Sequence, residues 1–154
     1  MFSPPIPRAA LVLGLSGLLP FLWGLGTLVN PLFYDLTMRW VGPRFVAPYV
    51  LLSYGTIILC FMSGVLWGMA TKATGQTATI GYVLSVIPAL WAFFFVGNGP
   101  TAAAINLIAG FLAVLAIDWL FWTNGLAPEW WMKLRIILTT GVVISLGFIA
   151  GGGY

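Results

Sequence analysis

Histidine is absent from this 154-residue chain, and charge of either sign is scarce, with six Lys or Arg and three Asp or Glu. Without imidazole, the usual ligation of haem iron, chlorophyll magnesium, copper or zinc is excluded. The three carboxylates, Asp35, Asp118 and Glu129, stand far apart along the chain, so a paired general acid and base is not expected. The one cysteine, Cys60, lies inside an apolar run and can make no intramolecular disulfide. Nor is there an HExxH, a GxSxG or a glycine-rich phosphate loop. We therefore expect no catalytic residue and no metal site.

What the chain does have is hydrophobic mass. Apolar residues make up 61% and charged residues 6%, and the mean hydropathy is +1.06. A soluble domain is about a quarter charged and just under half apolar, and nine charged side chains cannot keep a water-facing surface polar. A spanning helix needs roughly 20 apolar residues. The chain thus has room for five or six spans in one bundle and no length for a soluble domain. The formal charge of +3 comes from basic residues scattered singly, which forms no stripe for nucleic acid. Charge of this kind sets topology at the membrane surface.

Five apolar runs are legible: about 7–29, 46–70, 78–97, 101–122 and 133–150. The first is about twice as long as a signal-peptide core and no small-residue cleavage site follows it, so a retained span is expected, kinked at Pro20. Between the first two runs, Leu32, Phe33, Leu36 and Trp40 recur at near-helical spacing while Asp35 and Arg39 fall on another face. Either a short interfacial helix or an ordered loop satisfies that pattern. Asn98-Gly99-Pro100 is a tight turn signal that makes runs three and four an antiparallel hairpin. The last run, at about 18 residues, is near the lower limit for crossing, and a four-span chain would require it to be re-entrant. With five spans, Arg8, Lys72, Lys133 and Arg135 share one side and Arg39 and Arg44 the other. Four against two places the amino terminus in the cytoplasm and the carboxyl terminus in the periplasm of a bacterial inner membrane. In a mitochondrial inner membrane the basic side faces the matrix.

Asp118 is the first candidate for a special role, since a carboxylate about one turn inside a span is costly without a partner. Arg135, at similar depth in span five, and Arg8 are its candidate ion-pair partners. A structural pair that fixes helix packing is the leading reading over a proton relay or substrate site, because transporters gather several polar groups at mid-membrane. Here there is little beyond Asn106 and scattered Ser and Thr. Helix-packing candidates are Gly64 and Gly68 in span two, Ala102, Asn106 and Gly110 in span four, and Gly147 and Gly151 in span five. Small side chains let helix backbones approach in lipid, within the bundle or against another protein. Trp40, Trp122, Trp130 and Trp131 are expected interfacial anchors. Trp91 and Phe93-Phe94-Phe95 are placed deeper, where packing and lipid contact are the leading reading and a quinone or pigment contact the alternative. No cofactor is called for by any motif.

Several segments together form a pattern: Ile6-Pro7-Arg8-Ala9-Ala10 leading to Pro20-Phe21, Tyr54-Gly55-Thr56-Ile57-Ile58-Leu59, and Met62-Ser63-Gly64-Val65-Leu66-Trp67-Gly68. Ser85-Val86-Ile87-Pro88-Ala89-Leu90, Asp118, and Trp131-Met132-Lys133-Leu134-Arg135 complete it. Over nearly its whole length the chain resembles the small bacterial membrane family of unknown function that includes mitochondrial transmembrane protein sixty-nine. The resemblance implies an all-α bundle of about five membrane spans and brings no activity and no catalytic residues. The functional expectation is a non-catalytic accessory or assembly subunit of a larger inner-membrane energy-converting complex, respiratory or photosynthetic. Its partners are the bilayer and other transmembrane subunits. The alternative is a small homo-oligomeric transporter or channel, and a lipid- or quinone-directed enzyme ranks third.

Overall fold

A computed structural model describes residues 4–154. They form seven α-helices, α1 (Arg8–Ser16), α2 (Leu19–Val29), α3 (Pro31–Trp40), α4 (Tyr49–Ala70), α5 (Gly75–Phe95), α6 (Pro100–Thr123) and α7 (Trp131–Ala150), with a 3-10 turn at Pro43–Phe45. Helices α1 and α2 together make the first of five segments long and apolar enough to cross a membrane, and α4 to α7 make the others. Their 20 to 24 residues extend about 30–36 Å at 1.5 Å per residue, which matches a hydrocarbon core about 30 Å thick. Each is apolar nearly all round rather than along one stripe, because lipid replaces water on the outer face and backbone groups must pair within the helix. Span five runs to 20 residues by taking in Trp131 and Met132, two more than its apolar run suggested.

The first span is interrupted where the kink is expected. The Gly17 amide reaches both Leu13 and Gly14 carbonyls at 3.1 Å, and Leu18 reaches Leu15 at 3.0 Å, a tightened turn that ends α1. Pro20 then falls in the first turn of α2, where its missing amide removes no necessary bond. The connection after it is helical, and α3 resolves the two readings of that pattern. The Asn30 side chain accepts from the Phe33 amide at 3.1 Å and Pro31 occupies the first turn, a side-chain cap of the usual kind. The Phe33 ring meets Trp23 edge-on at 4.8 Å. Thr37 is buried, while Leu32, Leu36 and Trp40 face away from the bundle.

Helices α4 and α5 pack closely as one antiparallel pair and α6 and α7 as another, with α4 against α6 joining them. The core follows from heptad-like spacing: Leu51, Leu59 and Leu66 on α4 meet Leu107, Phe111 and Val114 on α6 and Leu146 and Ile149 on α7. Phe21 closes the cluster from α2. Gly99, at φ 92°, turns the chain into α6, in a conformation glycine adopts without steric penalty. Two contacts tie the ends of the bundle. Lys72 Nζ donates to the Leu126 carbonyl at 3.3 Å, and at the opposite end Thr101 and Tyr154 hydroxyls lie 3.0 Å apart.

Candidate functional site

Asp118 lies on α6 five residues before its end, and Trp131 and Arg135 lie on α7 at i and i+4. Residues four apart share a helix face, and the hairpin turns that face toward α6. Arg135 Nε donates to Asp118 Oδ2 at 2.6 Å, and Trp131 Nε1 donates to Oδ1 at 2.8 Å. Asp118 is 0% exposed and Arg135 4%. Both carboxylate oxygens are therefore held by charged or indole donors, out of reach of water and of any substrate at the surface. Removing either partner would strand a charge in a low-dielectric interior. What this arrangement does chemically is clamp two helices in register.

Arg8, the other candidate partner, is exposed at the start of α1, and Asp118–Arg135 is the ion pair found among the described residues. Trp131 has a partner its expected role did not include. Its indole N–H turns inward to the carboxylate from the first turn of α7, because a buried anion draws the nearest strong donor. Spacing carries that signal in retrospect, since Trp131 and Arg135 lie one turn apart. Trp122 donates to the Glu129 carbonyl at 3.3 Å, Trp130 stacks edge-on against Trp131, and Trp40 is 84% exposed. All four lie at helix ends. Nothing in the sequence singled out Thr139, whose hydroxyl is buried without a partner beside Arg135, where Nη2 is likewise unpaired.

The small residues divide into two sets. On α6, a Cβ at Gly110 would stand 2.7 Å from Leu59 and 3.1 Å from Trp91, so this glycine admits close neighbours. Asn106 next to it donates to the Phe95 carbonyl at 2.7 Å while its own carbonyl accepts from Trp91 Nε1 at 2.8 Å. Ala102 is half-buried on the same helix. Together they pin the α5–α6 turn. Gly64, Gly68 and Gly147 meet nothing within 4 Å, and Gly151 meets only backbone carbonyls of α7. Among the described residues, a Cβ at any of these four would meet no other helix. Trp91 is anchored inside the hairpin, whereas Phe93, Phe94 and Phe95 occupy the exposed last turn of α5. No group of three or more His, Cys, Asp or Glu side chains gathers among the described residues.

Five apolar spans packed around one internal ion pair define a polytopic α-helical membrane protein. The chain belongs to the family described as Protein of unknown function (DUF3429), whose profile matches residues 6–151. It is 31% identical over 144 residues to Transmembrane protein 69 of Xenopus tropicalis, an alignment that covers 91% of this chain and 53% of that protein. The chain thus spans about half the length of that relative. No solved structure matches it.

Proposed function

We propose that this protein is a non-catalytic subunit, accessory to or assisting assembly of a larger energy-converting complex, respiratory or photosynthetic, in an inner membrane. The open glycine face of α4 carries this reading. Ile57, Phe61, Gly64 and Gly68 recur along one line of that helix and all are exposed, and neither glycine has a neighbour that a side chain would meet. Lipid supplies no hydrophobic drive for helix association, so small residues matter where another backbone must approach closely. A face of this kind suits a helix from a different subunit. The polar groups of the interior point the same way: Asp118 is consumed by the clamp, and the other two carboxylates lie in α3 and the α6–α7 loop.

The test is extraction of the tagged full chain in mild detergent, followed by native electrophoresis and mass spectrometry of the co-migrating band. Energy-converting subunits in that band are the expected result, together with their loss when Gly64 and Gly68 are both replaced by Leu. A band containing only copies of this chain would overturn the reading in favour of the homo-oligomeric transporter. The proposed orientation places Arg8, Lys72, Lys133 and Arg135 on the cytoplasmic side. It is checked by fusing alkaline phosphatase to the carboxyl terminus, which is active only if that end is periplasmic.

A further inference from the structure

Beside the ion pair is a cavity of about 220 Å³, lined by Gly14, Phe21, Tyr54, Met62, Arg135 and Thr139 among others. It lies between the first span and α4, α6 and α7. Its lining residues are apolar or glycine apart from three, Arg135, Thr139 and Tyr54. Three buried polar atoms lack a hydrogen-bond partner among the described residues, Arg135 Nη2, Thr139 Oγ1 and Thr37 Oγ1, and the first two belong to residues that line this cavity. Arg135 and Thr139 are 4% and 3% exposed. The other buried hydroxyls of the spans behave differently. Thr27 and Ser145 bond back to carbonyls of their own helices, Ser85 bonds to Tyr82, and Ser63 donates across to the Ser85 carbonyl. Thr139 alone among these span hydroxyls leaves its donor free, one helical turn from an arginine that does the same.

An orphaned donor in hydrocarbon is expensive, and two at one cavity call for an acceptor. The geometry points to a binding site for the carbonyl end of a neutral membrane-soluble molecule, its oxygen accepting from Arg135 and Thr139 and its apolar body filling the space toward Phe21 and Met62. Neutrality follows from charge balance. Asp118 already cancels the Arg135 charge at 2.6 Å, so an anionic ligand would leave one uncompensated negative charge inside the bundle. Depth agrees with a lipid-soluble ligand, because Thr139 lies about 12 Å along α7 from Trp131 at 1.5 Å per residue. The volume exceeds the roughly 10–15 Å³ that one water needs. An ester carbonyl of a diacyl lipid and a ring carbonyl of a quinone share this chemistry. The site stands independently of the subunit role proposed above.

The full chain in dodecyl maltoside, a detergent without a carbonyl, is titrated with dioctanoylglycerol, decylubiquinone and dodecane, with occupancy read by native mass spectrometry and thermal melting. One carbonyl probe is expected to bind at one copy per chain and to raise the melting temperature well beyond dodecane. Whichever of the two binds more tightly names the source. Thr139→Val keeps the side-chain shape and should weaken the carbonyl probe about five- to tenfold, as loss of one hydrogen bond implies, leaving dodecane unchanged. Without ligand the same variant should melt no lower than the parent, because it removes an unpaired hydroxyl. Equal binding of dodecane and the carbonyl probes, an affinity indifferent to Thr139→Val, or no binding by any probe would each overturn the proposal. The last outcome would leave the cavity to water. The comparison of probes on the unmutated chain stands even where the variant fails to fold.

Discussion

Gly110 and Gly64 look alike as sequence, each a small residue four positions from another small or polar one inside an apolar run. In the folded chain they have opposite surroundings. Gly110 is enclosed by Leu59 and Trp91, while Gly64 has open space where a side chain would go. The same contrast runs through whole spans: 44% of an 18-residue stretch of span five is buried against the rest of the described chain, and 11% of one in span one. Helix association in lipid rests on close contact and a few polar bonds, so the well-packed side of the bundle explains its own stability. The open side is satisfied by lipid as far as this chain is concerned, and its glycines gain a role only when another helix arrives.

Five variants test that division, beginning with the packed side. Asp118→Asn leaves Arg135 buried without its counter-charge and should destabilise the protein by about 3–5 kcal/mol, seen as a large fall in melting temperature in detergent. Replacing both residues with apolar ones, Asp118→Leu with Arg135→Met, should recover most of it. A double variant as unstable as the single one would mean the pair does more than clamp α6 to α7. Trp131→Phe, which removes one hydrogen bond to a carboxylate, should lose about 1.5–3 kcal/mol in the same assay. If its melting curve matched the parent, the indole hydrogen bond would contribute nothing to the clamp. Gly110→Val forces atoms into contact with Leu59 and Trp91, an overpacking effect of about 1–3 kcal/mol. At the bottom of the scale, Gly64→Leu should change the stability of the isolated chain by less than about 0.5 kcal/mol while weakening co-purification of partner subunits. A strongly destabilised Gly64→Leu would erase the contrast between the two faces.

Much of the fold was readable beforehand, for a simple reason. Apolar length is decided by bilayer thickness, a constant outside the protein, so spans two to five are placed within a few residues. Proline and glycine punctuation marked the break near Pro20 and the turn at Gly99, because both act on local backbone geometry. The candidate site was half legible. Asp118 and Arg135 stood out as charges in hydrocarbon, and their similar depth on a hairpin favoured pairing. The inward bond of Trp131 was not foreseen, because indoles at span ends commonly sit at the interface and nothing local says that one donates to a carboxylate. Thr139 gave no signal, since a threonine in a span ordinarily bonds to its own helix.

Composition and run length by themselves determined that this is a membrane protein of about five spans with few ionic groups, because transfer of each residue to lipid is nearly independent of its neighbours. Only the tertiary structure decided which glycines are enclosed and which are open, that Arg135 rather than Arg8 meets Asp118, and that two donors remain unpaired beside one cavity. Those outcomes depend on how each helix is rotated about its axis. Rotation is set by side-chain contacts between segments distant in the chain, and a sequence that is apolar on every face carries almost no record of it.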